Sequence, residues 1–88
     1  MKPIDIELKK QPKKYLSKVN INTFSKLDKA LEKLRFWEGD IIKLKGSEYY
    51  RLKISQYRFI FTYDNSINII SVEEINTRTN INYRRYSK

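Results

Sequence analysis

The chain has 88 residues, 40% of them hydrophobic, with 19 Lys plus Arg against 10 Asp plus Glu, for a formal net charge of +9. It contains no histidine and no cysteine, which excludes Cys/His zinc sites, disulfide scaffolds, thiol nucleophiles and histidine acid–base catalysis. The length suits one domain, 1–88, and the charge points to a polyanionic partner, nucleic acid or an anionic membrane.

The membrane is disfavoured, because no apolar run approaches the roughly 20 residues of a spanning helix. The start, Met1-Lys2-Pro3-Ile4-Asp5, has no apolar stretch behind its lysine, so no secretory signal is expected and the protein is read as cytoplasmic. Ile4-Asp5-Ile6-Glu7-Leu8 alternates apolar and acidic, the period of a strand with one buried face. Pro12 suits the first turn of a short helix over 12–19. Asn20 or Asn22 then caps a second helix, whose Phe24, Leu27, Leu31 and Leu34 recur on one stripe that packs on a sheet. Phe36-Trp37-Glu38-Gly39-Asp40 reads as a loop.

From Tyr49 onward the pattern is strand. Tyr50, Leu52 and Ile54 alternate with Arg51 and Lys53; Tyr57, Phe59, Phe61 and Tyr63 alternate with Arg58, Ile60 and Thr62. Asp64-Asn65-Ser66 makes a turn, and 67–72 supplies another strand, apolar on both faces and so covered on both. The expected order is β-α-α-β-β-β, an α+β domain with helices on one face of a mainly antiparallel sheet.

The charge concentrates in three places. With Ser55-Gln56 as a two-residue turn, Ile54 pairs with Tyr57, Lys53 with Arg58, Leu52 with Phe59 and Arg51 with Ile60, and paired residues share a face. The apolar set then faces the helices, and Arg51, Lys53 and Arg58 gather on the open side. Like charges opposed across a sheet cost some tenths of a kcal/mol. The face is either a solvated surface whose charges happen to cluster or an anion site, and the second reading is carried forward. Residues 9–26 hold six lysines and no acid, which fits an exposed helix face and could equally serve plain solubility. The tail, 80–88 together with Arg78, adds Arg84, Arg85 and Lys88 with Tyr83 and Tyr86 interleaved, a composition suited to phosphate contact and base stacking.

The chain has no Gly-rich phosphate loop. Paired carboxylates are a poor prospect, because Asp and Glu are few and scattered and adjacent Glu73 and Glu74 should point to opposite faces of a strand; neither a metal nor a cofactor is expected. Lys, Arg and Tyr remain as catalytic groups. They suit cleavage of RNA by attack of its own 2′-hydroxyl on the adjacent phosphate, which needs a positioned base, charge stabilisation at phosphorus and a proton for the leaving oxygen. Lys53, between two arginines, has its charged form disfavoured by like charges and is the candidate base. Arginine presents a planar fork to phosphate.

Leu44-Lys45-Gly46, Tyr50-Arg51-Leu52-Lys53-Ile54, Tyr57-Arg58-Phe59-Ile60-Phe61 and the late Arg78 and Tyr83 together resemble the RelE/ParE superfamily of toxins from toxin–antitoxin modules. The resemblance spans nearly the whole chain and is most specific over 44–61. It implies a small toxin neutralised by a cognate antitoxin and, in the RelE branch, an endoribonuclease that cuts messenger RNA in the ribosomal A site. By position, Lys53 is then the general base and Arg58 stabilises the charge at phosphorus. Arg51 and Lys45 hold phosphates, Arg78 supports the scissile phosphate, and Tyr83 stacks on or orients a base. Two departures stand out: Thr77 occupies the place where many ribonuclease members carry a His, and the Arg78–Tyr83 spacing differs from the common form by about a residue. The ParE branch shares the fold but poisons DNA gyrase, which makes gyrase the alternative partner; a plain nucleic-acid-binding module is a further alternative. The phosphate-facing cluster with its late Tyr favours the RelE branch.

Overall fold

The alternation at the N-terminus becomes strand β1 (Asp5–Leu8) in the computed structural model, which describes residues 2–86. Ile6 and Leu8 pack onto the core. Helix α1 (Lys10–Lys18) starts two residues ahead of Pro12, which is buried in its first turn, where a missing N–H costs nothing. Gln11 ties this helix to the sheet. Its side-chain amide donates to the carbonyl of Ile75 at 2.8 Å and accepts from the Ile75 N–H at 2.9 Å, continuing the ladder beyond the end of β1.

Helix α2 (Ile21–Leu34) is capped by Asn20, whose Oδ1 accepts the Thr23 N–H at 2.8 Å. Leu27, Leu31 and Leu34 are buried, but Phe24 is 39% exposed, so only the last two turns of the expected stripe are covered. Trp37 then adopts φ +57°, and its ring meets Tyr50, Phe61 and Tyr63 with centroids 5.1, 5.6 and 5.5 Å away. Gly39 adopts φ +135°, which strains any other residue, and a Cβ there would lie 2.7 Å from Leu52 Cδ1, so the leucine would have to shift.

The expected loop ends at Gly39, because Asp40 already opens an edge strand, β2 (Asp40–Lys43). Adjacent Ile41 and Ile42 give this four-residue strand no apolar–polar alternation, so its period is hidden. Strands β3 (Tyr50–Ile54), β4 (Tyr57–Asp64) and β5 (Ile69–Thr77) follow, then a short 3-10 helix (Tyr83–Arg85). The last strand starts two residues later than expected and runs five further; Ile67 is left 61% exposed in the turn. The sheet order is β1-β5-β4-β3-β2, with β1 parallel to β5 and the other pairs antiparallel. This is the expected α+β architecture with one added edge strand.

A bulge in β5 decides which residues reach the core. Val72 pairs with Phe61 and Glu74 with Ile60, which leaves Glu73 as the extra residue. Val72 and Ile75 thereby both face the helices, and Glu74 falls on the opposite side. The main core joins Leu27, Leu31 and Leu34 to Leu52, Phe59, Phe61, Ile70, Val72 and Ile75. A second, smaller core covers part of the other face: Leu44, Ile60, Ile81 and Tyr86, with Tyr49 and Tyr83 against them. The face expected to be open is therefore partly roofed by the C-terminal segment and the β2–β3 loop. Both-sided cover of β4 and β5 follows from it.

Candidate functional site

The β3–β4 hairpin has the register expected from alternation. Ile54 lies opposite Tyr57, Lys53 opposite Arg58, Leu52 opposite Phe59 and Arg51 opposite Ile60. Ser55 takes φ +55° in the two-residue turn. Arg51, Lys53 and Arg58 consequently share the face turned away from the helices.

Their environments differ sharply. Lys53 is exposed, and no ion pair holds it among the described residues. Arg58, expected on open surface, is only 8% exposed. Its Nη1 donates to the carbonyls of Ser55 and Tyr57, each at 2.9 Å, so the turn itself fixes the guanidinium. Arg51 is not free for phosphate in this state: its Nη2 donates to Asp40 Oδ1 at 3.1 Å. Asp40 comes from β2, where it stands opposite Lys53. The cluster thus contains a resident acid that a loop assignment for Asp40 conceals.

Arg78 lies next to the same turn, its N–H donating to the Gln56 carbonyl at 2.8 Å. This is two residues beyond Asn76, the β5 partner of Arg58. Arg78 is exposed. The remaining candidates gather around the second core rather than at the hairpin turn. Lys45 is exposed beside buried Leu44 in the β2–β3 loop, where Gly46 adopts φ +70°. Tyr83 is half-buried and packs against that core, so part of its ring serves folding. Arg84 and Arg85 are exposed, and the Arg85 guanidinium sits 5.7 Å from the centre of the Tyr86 ring. Lys88 lies outside the described residues. Ile60, opposite Arg51, joins the cationic hairpin to this aromatic rim.

Beneath the rim is a polar contact that alternation did not reveal. Buried Glu74 accepts from the Tyr86 hydroxyl and, at 3.2 Å, from Asn76 Nδ2. Burial and the adjoining Glu74 carboxylate raise the Tyr86 hydroxyl well above its ordinary value. The sequence signal for this pair was the adjacent Glu73 and Glu74 in a strand, of which one must turn to each face unless a bulge intervenes. On the helix side, an open groove of about 520 Å3 between α2 and β3 has Lys26, Lys29, Lys33, Glu38, Leu52 and Ile54 among its lining, and Lys53 also contributes to it. No helix of the described residues is long and apolar enough to cross a membrane.

Two helices on one face of a five-stranded sheet, with a cationic hairpin on the other, define a small α+β fold. Solved structures narrow it further. The archaeal RelE–RelB complex from Pyrococcus horikoshii OT3 contains a chain with TM-score 0.75 and 20% identity, covering 90% of this chain and 99% of that one. The Mycobacterium tuberculosis toxin–antitoxin complex RelBE2 gives TM-score 0.68 and 11% identity, over 86% of this chain and 99% of that one. The sequence matches no family model and no curated protein. The chain has the RelE-like fold.

Proposed function

We propose that the protein is the toxin of a toxin–antitoxin module and acts in the cytoplasm as a ribosome-dependent endoribonuclease on messenger RNA. One observation carries the reading: Lys53 stands directly opposite Arg58 on the sheet face away from the helices, in a chain with the RelE-like fold. Lys53 handles the proton of the attacking 2′-hydroxyl. Arg58, anchored through Nη1 by the turn carbonyls, stabilises the charge that develops at phosphorus through its remaining N–H groups. Arg78, beside the same turn, supports the scissile phosphate, and Tyr83 orients a base. Lys45, Arg84 and Arg85 steer the RNA along the aromatic rim, and Arg51 adds a phosphate contact once it leaves Asp40. The ribosome aligns the strand. A cognate antitoxin neutralises the toxin, and the lysine-rimmed groove beside α2 offers an acidic segment of it an apolar floor.

The test is primer-extension mapping of cuts in a translation reaction supplied with purified protein. Wild type should cut messenger RNA on ribosomes, with Lys53→Ala and Arg58→Ala each losing the cuts by about 100-fold or more. Unchanged cleavage in both variants removes the site assignment. Intact messenger RNA with blocked supercoiling in a purified gyrase assay replaces the nuclease with a gyrase poison.

A further inference from the structure

The Asp40–Arg51 pair is lopsided. The arginine side chain is only 16% exposed, whereas the aspartate is 57% exposed. The contact uses Nη2 alone, and Arg51 Nε is buried without a hydrogen-bond partner. Nε and Nη2 form one edge of the guanidinium, the edge that takes two oxygens of a single oxyanion side by side. A one-point bond to a solvent-exposed carboxylate fills half of that edge. The carboxylate partner stays largely in solvent, where water competes for it, so this one-point bond is readily exchanged.

We propose that Asp40 is a resident competitor for phosphate. Its carboxylate holds Arg51 while no nucleic acid is bound, and a phosphate of the RNA displaces it, engaging Nε and Nη2 together. Exchange satisfies a donor that the resting state leaves without a partner, which favours phosphate over the carboxylate. Asp40 also stands opposite Lys53, so its negative charge opposes phosphate at both cations until it is displaced. The acid therefore sets how tightly this face holds RNA. The inference rests on the reading that the sheet face takes RNA, and it does not require that the RNA be cut.

The experiment compares full-length variants binding a short fluorescein-labelled single-stranded oligoribonucleotide at low salt. Asp40→Asn should bind roughly two- to fivefold tighter than wild type, the effect of removing one solvent-exposed acid from a one-point ion pair. Asp28→Asn, the same charge change on the exposed side of α2, serves as the control and should gain less. In an Arg51→Gln background the gain from Asp40→Asn should fall to the level of that control. In wild type, the Arg51 Nε–H resonance should shift as RNA saturates the protein. Equal gains from Asp28→Asn and Asp40→Asn, a gain undiminished without Arg51, or a stationary Nε–H resonance overturns the proposal. Absence of RNA binding by wild type overturns it too, while the ribosomal cleavage assay decides the nuclease reading separately. RNA binding tightened by Asp40→Asn with no cleavage leaves the competitor standing and removes the nuclease.

Discussion

Tyr86 and Glu74 are twelve residues apart, yet they close the second core with a hydrogen bond out of solvent. A buried carboxylate that loses a donor keeps its desolvation cost, so Tyr86→Phe should destabilise the fold by about 1–3 kcal/mol near neutral pH. The pH dependence has a definite sign. Because the folded state raises the Tyr86 hydroxyl above the ordinary value of 10.0, the contact contributes fully below that value. Its contribution is lost as the pH climbs through the raised value. Urea unfolding followed from neutral to strongly alkaline pH should therefore show a steeper loss above pH 10 in wild type than in Tyr86→Phe. Parallel alkaline profiles would show that the hydroxyl does not depend on Glu74. Arg58 follows a different rule: its charge is kept in a confined place because two carbonyls of its own turn receive it.

At the scale of elements, β5 is the organiser, and its irregularity is functional for the fold. Ile70, Val72 and Ile75 cannot share a face at a strict period of two. The extra residue Glu73 resets the alternation, so Ile75 reaches the main core and Glu74 the other side. Where β1 stops, Gln11 takes over as a surrogate strand residue for Ile75. Gln11→Ala should cost about 1–2 kcal/mol and make the Ile75 amide exchange faster with solvent hydrogen. Unaltered exchange at Ile75 would mean that water serves that edge equally well. The hairpin register was legible from side-chain alternation, because pairing and facing are both set locally by the turn. The cap of α2 was legible only as Asn20 or Asn22, and the structure selects Asn20. Strand β2 was not legible, since its four residues pair by virtue of lying beside β3 and carry no period of their own.

Across the whole molecule, the +9 charge divides between the two sides of the sheet. Lysines of α1 and α2 lie on the helix side, and the hairpin and tail cations belong to the other. On the proposed function, it is the second set that follows an RNA strand along the sheet. Log affinity for a single-stranded oligoribonucleotide should fall linearly with log salt, by about 0.7 for each phosphate neutralised. Removing Arg84 and Arg85 together as glutamines should lower that slope by about 1, or a little more. Lys13→Gln with Lys14→Gln, an equal change of charge on exposed α1 positions, should leave it unaltered. Equal effects of the two pairs would mean that net charge alone drives binding.

Composition and alternation by themselves determined the helix–sheet order, the hairpin pairing and the gathering of Arg51, Lys53 and Arg58 on one face, all of which depend on residues within a turn or two of each other. Only the tertiary structure decided what those cations meet. Arg58 is withdrawn from solvent, Arg51 is held by Asp40 from eleven residues away, and Ile81 and Tyr86 cover the part of the face around Ile60. The reason is physical: a side chain's face follows from the local backbone period, whereas its partner depends on which distant strand or tail is packed alongside.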